Sequence, residues 1–274
     1  MKNVLISEDI SAFGKCSTTV GLPIISTFGM TGTILPTTLL STHTGPEFPG
    51  FTALDLTDEM VKIIDHWKEL GIKFDAIYTG YLGKISQIDL LLKELPNLLK
   101  ENGKVIVDPV FGDHGNMYPG FDEAYAKANQ RLVAAADLVV PNYTEACFII
   151  EKDYDSLDFS QEESEEILKA LQDLGAKNAL LTGIRKGDKI GATILAEDGS
   201  FTSHFAEYLP YAFHGTGDIF ASTIVGEWLR SEDLNQAVNV AVNFVPETIK
   251  ATVEDENPIT YGVHFEKVLP LLNK

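Results

Sequence analysis

The stretch DAIYTGYLGKISQIDLLLKELPNLLKENGKVIVDP, residues 75–109, decides the fold class. Asp75–Thr79 is a short apolar run of strand length, and Gly80 opens a turn after it. Ser86–Lys100 carries apolar residues at helical spacing, with Gly103 as its stop signal. Lys104–Val107 is a second strand and runs into Asp108-Pro109. Two strands joined through a helix form the unit of a parallel sheet, because the crossover must carry the chain back before the next strand can run in the same direction.

The alternation extends both ways. Upstream lie strands at Val4–Ser7 and Thr33–Leu39, then a helix at Asp58–Leu70 with apolar Met60, Val61, Ile63, Ile64 and Trp67, stopped by Gly71. Downstream, helices are expected at Asp122–Ala135, Thr144–Glu151 and Gln161–Leu174, with strands at Asp137–Val140 and Asn178–Thr182. The acidic stretch Glu151–Glu166 reads as a solvated loop and helix start. After Thr182 the pattern changes: Ile190–Ala196 and Ser200–Phe205 flank Asp198-Gly199, a hairpin signal. Helices Gly217–Leu229 and Asn235–Thr252 follow, and Phe265–Leu272 closes the chain. The expectation is one α/β domain over residues 1–274, mostly parallel, with helices on both faces of the sheet. Ligands in such sheets bind beyond the carboxyl ends of the strands. That edge gathers Asp108, Asn142, Glu145 and Thr182 from distant parts of the sequence.

Composition narrows the partners. Forty acidic against 21 basic residues give a formal net charge of -19. Such a chain repels nucleic acid and anionic membrane. An anionic nucleotide would need a cation, backbone N–H groups or a helix N-terminus to hold it. No signal-peptide core and no membrane span are expected, since no run reaches about 18 apolar residues. Cys16 and Cys147 lack CxxC spacing, which argues against a zinc site or a disulfide framework and fits a reducing cytoplasm.

Phe213-His214-Gly215-Thr216-Gly217-Asp218 sets two glycines before an apolar helix. Glycines let backbone N–H groups approach an anion closely, and a helix N-terminus adds partial positive charge. Together they suit negative charge developing on a transferring phosphoryl group, and Asp218 could accept a proton from an attacking hydroxyl. Asp218 as a mere partner of the helix dipole explains the same residues. Likewise Asp108-Pro109 could be a turn and Asn142 a helix cap, or Asp108 and Glu145 could hold Mg²⁺ partly through water. Neither a GxxxxGK[ST] phosphate loop nor a GxGxxG dinucleotide fingerprint occurs.

Taken together, Ser41-Thr42-His43-Thr44-Gly45, Thr79-Gly80-Tyr81-Leu82-Gly83, Asp108-Pro109-Val110 with Gly112-Asp113, Pro141-Asn142-Tyr143-Thr144-Glu145 and Gly215-Thr216-Gly217-Asp218 resemble the ribokinase-like superfamily. Within it they are similar to the pyridoxal (pyridoxine, pyridoxamine) kinases, over nearly the whole chain. The resemblance implies a three-layer α/β/α sandwich with a β-hairpin lid, and ATP-dependent transfer to the 5′-hydroxyl of a vitamin B6 vitamer. It implies Asp218 as catalytic base and Gly215, Thr216 and Gly217 as the anion hole. Asp108 and Glu145 would organise Mg²⁺, and Asn142, Thr182 and Gly217 would touch ATP. Thr44, Tyr81, His43, Asp9 and Ser11 would line the vitamin pocket, and residues near Val238–Phe244 would border the adenine. It further implies a cytoplasmic homodimer and admits K⁺ as a cofactor. Asp9 stands where family members often have serine, and Thr42 where they have asparagine. Rival readings are a kinase for hydroxymethylpyrimidine or a sugar, and a non-catalytic vitamin or nucleotide sensor. Aromatic Tyr81 argues against the sugar, and an intact Asp218 with its glycines argues against the sensor.

Overall fold

Val4 and Ile6 pack into one hydrophobic core while Leu5, between them, packs into another. The same split places Ala76 and Tyr78 on one side and Ile77 on the other. Strand side chains alternate between faces, so strands apolar at every position must be covered twice. The computed structural model, which describes residues 1–45, 47–154, 160–257 and 259–273, shows how.

The strands are β1 (Asn3–Ser7), β2 (Ile10–Ser11), β3 (Thr31–Ile34), β4 (Thr38–Leu40), β5 (Ala53–Asp55), β6 (Phe74–Thr79), β7 (Leu99–Val107), β8 (Gly112–Asp113), β9 (Asn116–Met117), β10 (Leu138–Val139), β11 (Asn178–Lys186), β12 (Lys189–Leu195) and β13 (Phe201–Glu207). The helices are α1 (Thr18–Thr27), α2 (Thr57–Glu69), α3 (Ile85–Leu98), α4 (Glu123–Ala134), α5 (Tyr143–Ile149), α6 (Gln161–Asp173), α7 (Thr216–Ser231) and α8 (Leu234–Val253). The main sheet has eight strands in the order β13-β12-β11-β10-β7-β6-β1-β3. It is parallel from β3 to β11 and antiparallel at β12 and β13. Helices α1, α7 and α8 cover the Val4 face, and α2 to α6 cover the Leu5 face. This is the expected α/β/α sandwich. A separate small sheet, β2-β4-β5, rises beyond the carboxyl end of β1.

Several expected elements changed. The run Thr33–Leu39 is not one strand. It leaves the main sheet after Ile34, passes Pro36, and enters the small sheet at Thr38. The helix expected to reach Lys100 ends at Leu98, and Leu99 turns extended to pair with Phe74. Pro96 already weakens that last turn, and Lys100 pairs with Asp75 at 2.8 Å from its place on the strand. Phe265–Leu272 forms two 3₁₀ turns. Helix α1 had no sequence signal: Thr18–Thr27 is rich in β-branched residues and contains Gly21 and Pro23. It forms because Val20, Ile24 and Ile25 are wholly buried against the sheet and α7. Part of the acidic loop, residues 155–159, lies outside the described residues. The Asp198-Gly199 turn joins β12 to β13 at the amino edge of the sheet, where Glu197 N–H meets Asn178. The turn standing over the carboxyl edge is instead Gly187-Asp188, between β11 and β12. Among the described residues no helix is long and apolar enough to cross a membrane.

Candidate active site

Parallel strands end at a common edge, and their backbone ladder continues one step into the loops. Gly80 N–H donates to Ser7 O (3.0 Å), Asp108 N–H to Thr79 O (2.9 Å), and Thr182 N–H to Pro141 O (3.1 Å). Asn142 and Thr182 also form an isolated parallel bridge. Asp9, Tyr81, Asp108, Asn142 and Thr182 are thereby set along one edge by main-chain bonds.

The glycine turn faces this edge. Gly215 caps α7 with φ 82, and a side chain there would run into the Lys15 carbonyl, so glycine is required twice over. Around Gly217 a side chain would meet nothing, so open space lies over that part of the turn. The N–H groups of this helix start, with no side-chain cap, could seat an anion. Asp218, in the first turn, is half-buried. Burial, helped by the charge of Asp9, raises its pKa to about 6, against the backbone N–H of Ser17, which lowers it. Ser17 stands at φ 49, a strained setting for a non-glycine residue. A carboxylate poised near 6 is still ionised at neutral pH and basic enough to take a proton.

Asp108 and Glu145 share a buried corner. Glu145 is held by a capping box with Asn142: Asn142 N–H donates to Glu145 Oε2 (3.0 Å) and Glu145 N–H to Asn142 Oδ1 (3.0 Å). Glu145 Oε1 accepts from the N–H of Phe111 (2.9 Å) and Gly112 (3.4 Å). Val110, bent to φ 43, turns those amides inward. Asn142 is therefore a helix cap, as its alternative reading held, and its side chain also donates to Gly112 O (2.8 Å). Burial raises the Glu145 pKa to about 7 despite these donors. The Asp108 carboxyl is raised well above its ordinary range by burial, then by the charges of Glu145 and Asp218. Among the described residues it accepts no hydrogen bond. Crowded carboxylates with one left unbonded fit a hard, oxygen-seeking cation such as Mg²⁺. Asp108 would be the nearer donor, and Glu145, its oxygens occupied, would act through water.

On the other side, buried Asp9 accepts from Ser11 Oγ (2.9 Å) and from Ser17. Tyr81 is half-buried, edge-on to Phe121 at 5.5 Å, and its hydroxyl pKa is raised by burial and by Asp9. His43 is buried, and its Nδ1 accepts the Gly45 N–H (3.1 Å), so it caps its own loop. Thr44 stands exposed on that loop. Near Thr182, Arg185 lies 3.3 Å over the Tyr208 ring and Lys186 lies 5.7 Å from that of Phe205. Val238 and Phe244 are core residues of α8. Cys16 and Cys147 are buried and free.

Residues 25–261 match the phosphomethylpyrimidine kinase family. The chain belongs to that family. Its structure superposes with a TM-score of 0.93 on a Bacteroides thetaiotaomicron protein assigned as a phosphomethylpyrimidine kinase, in a crystal form with pyridoxal; the two are 36% identical over 100% of this chain and 96% of the other. Pyridoxal kinase from Lactobacillus plantarum is 30% identical, with a TM-score of 0.91 over 99% of this chain and 96% of its own. The hydroxymethylpyrimidine/phosphomethylpyrimidine kinase of Bacillus subtilis is 29% identical over 185 residues, 65% of either chain. The relatives agree on a kinase of the ribokinase-like superfamily, hence on ATP as co-substrate, and divide over the molecule phosphorylated.

Beside these residues stands one further carboxylate that no sequence motif marks. Glu8 is wholly buried, and neither carboxylate oxygen has a hydrogen-bond partner among the described residues. It fills space that side chains at Gly21 and Gly80 would take: a Cβ at either would come within 2.9 or 2.5 Å of its oxygens. Burial, then Asp218, Asp9 and Asp108, push its pKa well up. The available signal was its position: a carboxylate directly after the buried strand Val4–Ser7.

Proposed function

We propose that this protein transfers the γ-phosphoryl group of ATP to the 5′-hydroxyl of a vitamin B6 vitamer. The observation that carries the reading is the pairing of two walls: Asp218 at the glycine turn, and Asp9 beside the Tyr81 ring within electrostatic reach of it. An aromatic ring can lie against Tyr81. A pyridinium N–H can donate to Asp9 in a charge-assisted bond. The crystal form of the 36% identical relative with pyridoxal supports such a guest.

In this reading the hydroxyl oxygen forms the new P–O bond as the bond to the β,γ-bridging oxygen breaks. Its proton passes to Asp218, and ADP leaves. Backbone N–H groups of residues 215–217 hold the charge on the phosphoryl oxygens. Asn142 and Thr182 border the phosphates. Asp108 and Glu145 would hold Mg²⁺, which supplies charge neutralisation on the nucleotide when bound. The resemblance extends the proposal to a cytoplasmic homodimer.

The second reading is phosphorylation of hydroxymethylpyrimidine, favoured by the family match and the Bacillus subtilis relative. Both guests are nitrogen heteroaromatics bearing a hydroxymethyl group. ATP consumption with pyridoxal, pyridoxine, hydroxymethylpyrimidine and ribose, each over a range of concentrations, tests the choice. A vitamer should give the highest kcat/KM; preference for the pyrimidine by tenfold or more (about 1.4 kcal/mol) would replace the B6 reading.

A further inference from the structure

Outside the carboxylate corner, three side chains from two segments, one loop and the glycine turn, converge on one point. Glu47 Oε1 lies 3.4 Å from His43 Nε2 and 3.1 Å from His214 Nε2. One donor atom from each of the three lies within 4.8 Å of the others. Neither contact is aligned as a hydrogen bond, and His43 Nε2, on a residue only 5% exposed, has no hydrogen-bond partner among the described residues. Bonds of about 2.0–2.2 Å in a tetrahedral zinc site put neighbouring donor atoms roughly 3.3–3.6 Å apart. The two carboxylate–imidazole separations, 3.4 and 3.1 Å, are close to that edge length. The surroundings are shaped for the group: a side chain at Gly45 would strike Glu47 and the His43 ring, and one at Gly14 would come within 2.9 Å of His43 Cδ2.

We infer that His43, Glu47 and His214 form a binding site for a divalent transition metal of the zinc type. Two imidazoles and one carboxylate, with a fourth position open, form a ligand set that selects zinc over magnesium, whose preference is for oxygen. This site is distinct from the Asp108–Glu145 corner, and its occupation does not depend on which substrate the enzyme takes. Its place gives it a consequence. His214 directly precedes Gly215 of the glycine turn, and His43 and Glu47 come from the loop on the Asp9–Tyr81 side. A metal would tie that loop to the turn. To bind through Nε2, His43 must carry its proton on Nδ1, where Gly45 N–H now donates at 3.1 Å. Metal binding therefore breaks that bond and shifts the Gly45 peptide.

Zinc chloride titrated calorimetrically into EDTA-treated, dialysed full-length protein, with millimolar Mg²⁺ present throughout, tests the site. One Zn²⁺ per chain is expected, bound about tenfold or more weakly by Glu47→Gln and by His214→Asn. Circular dichroism of each variant before titration shows whether it is folded, and His214 is the safer of the two because its side chain is 45% exposed. Cobalt in place of zinc should give the visible bands of a tetrahedral nitrogen–oxygen site, lost in the folded variant. No binding in the presence of Mg²⁺, or binding unchanged in both variants, would overturn the inference. Neither result bears on the vitamer reading, which stands or falls on the substrate panel.

Discussion

On one side of the site, Asp108 and Asn142 follow β7 and β10, Thr182 lies within β11, and Glu145 stands in the first turn of α5. Each is fixed by main-chain bonds, and Glu145 alone takes three backbone N–H groups. On the other side, Asp9, His43, Thr44 and Tyr81 come from loops and from beside a small sheet whose outer strand, β5, is exposed throughout. The first side is anchored to a rigid scaffold and suits a co-substrate common to all members of the fold. The second side can change by loop substitution without disturbing the sheet, which is how one fold comes to serve several guests. The relatives share kinase chemistry and divide between pyridoxal and hydroxymethylpyrimidine kinases, and in the proposed reading that difference belongs to the second side.

The largest expected effect breaks the chemistry where the two sides meet. Asp218→Asn should lower kcat by about 10²–10⁴-fold, the usual contribution of a general base, with little change in the KM for ATP. Wild-type kcat should fall as pH drops through about 6, because a protonated Asp218 cannot accept the hydroxyl proton. The variant should lack that limb. Near-normal turnover in Asp218→Asn would remove the base from the mechanism. A smaller effect should stay on one side. Asp9→Asn should raise the KM for the preferred vitamer about tenfold, the worth of one charge-assisted bond, while the KM for ATP moves less than twofold (under about 0.4 kcal/mol). Equal changes in both would mean that the two sides are not separable.

The smallest effect concerns Glu8, which lies beneath both. Its pKa is raised in the folded state, so the fold holds that proton more tightly than the unfolded chain does. Stability from this residue is then fully present below the ordinary glutamate range and is lost as pH rises through and above it. Glu8→Gln should therefore raise the melting temperature at pH 8 by a few degrees, corresponding to about 1–2 kcal/mol, with the gain vanishing near pH 4. A variant less stable at pH 8 would show that ionised Glu8 has a partner of its own.

Much of the scaffold was readable. Short continuous apolar runs, helical spacing and glycine stops located β1, β6, β10, α2, α4 and α6 to within a residue or two. These are elements whose local preference and burial agree. Helix α1 was not readable, because Gly21, Pro23 and six β-branched residues oppose a helix that packing against the sheet and α7 sustains. At that contact Gly226 leaves room for the Phe28 ring. Nor was the break after Ile34 readable: Thr33–Leu39 carries the composition of one strand, and only the two sheets show that it serves both. In the site, the residues picked from strand ends and from the glycine turn do gather at one edge. Glu8 and Glu47 were missed, and His214 was read only as part of the glycine-turn segment, because a lone carboxylate or imidazole has no spacing pattern to mark it.

By itself the sequence determined the parallel α/β architecture, the edge at which the candidate site residues gather, and the glycine turn with its carboxylate. These follow from side-chain periodicity and backbone freedom, which are local properties. Only the tertiary structure decided that Asn142 is a cap that also braces Glu145, that Glu8 is buried without a partner, and that His43, Glu47 and His214 meet. Those outcomes depend on distances between segments up to about 170 residues apart in the chain, brought together when two cores close around one sheet.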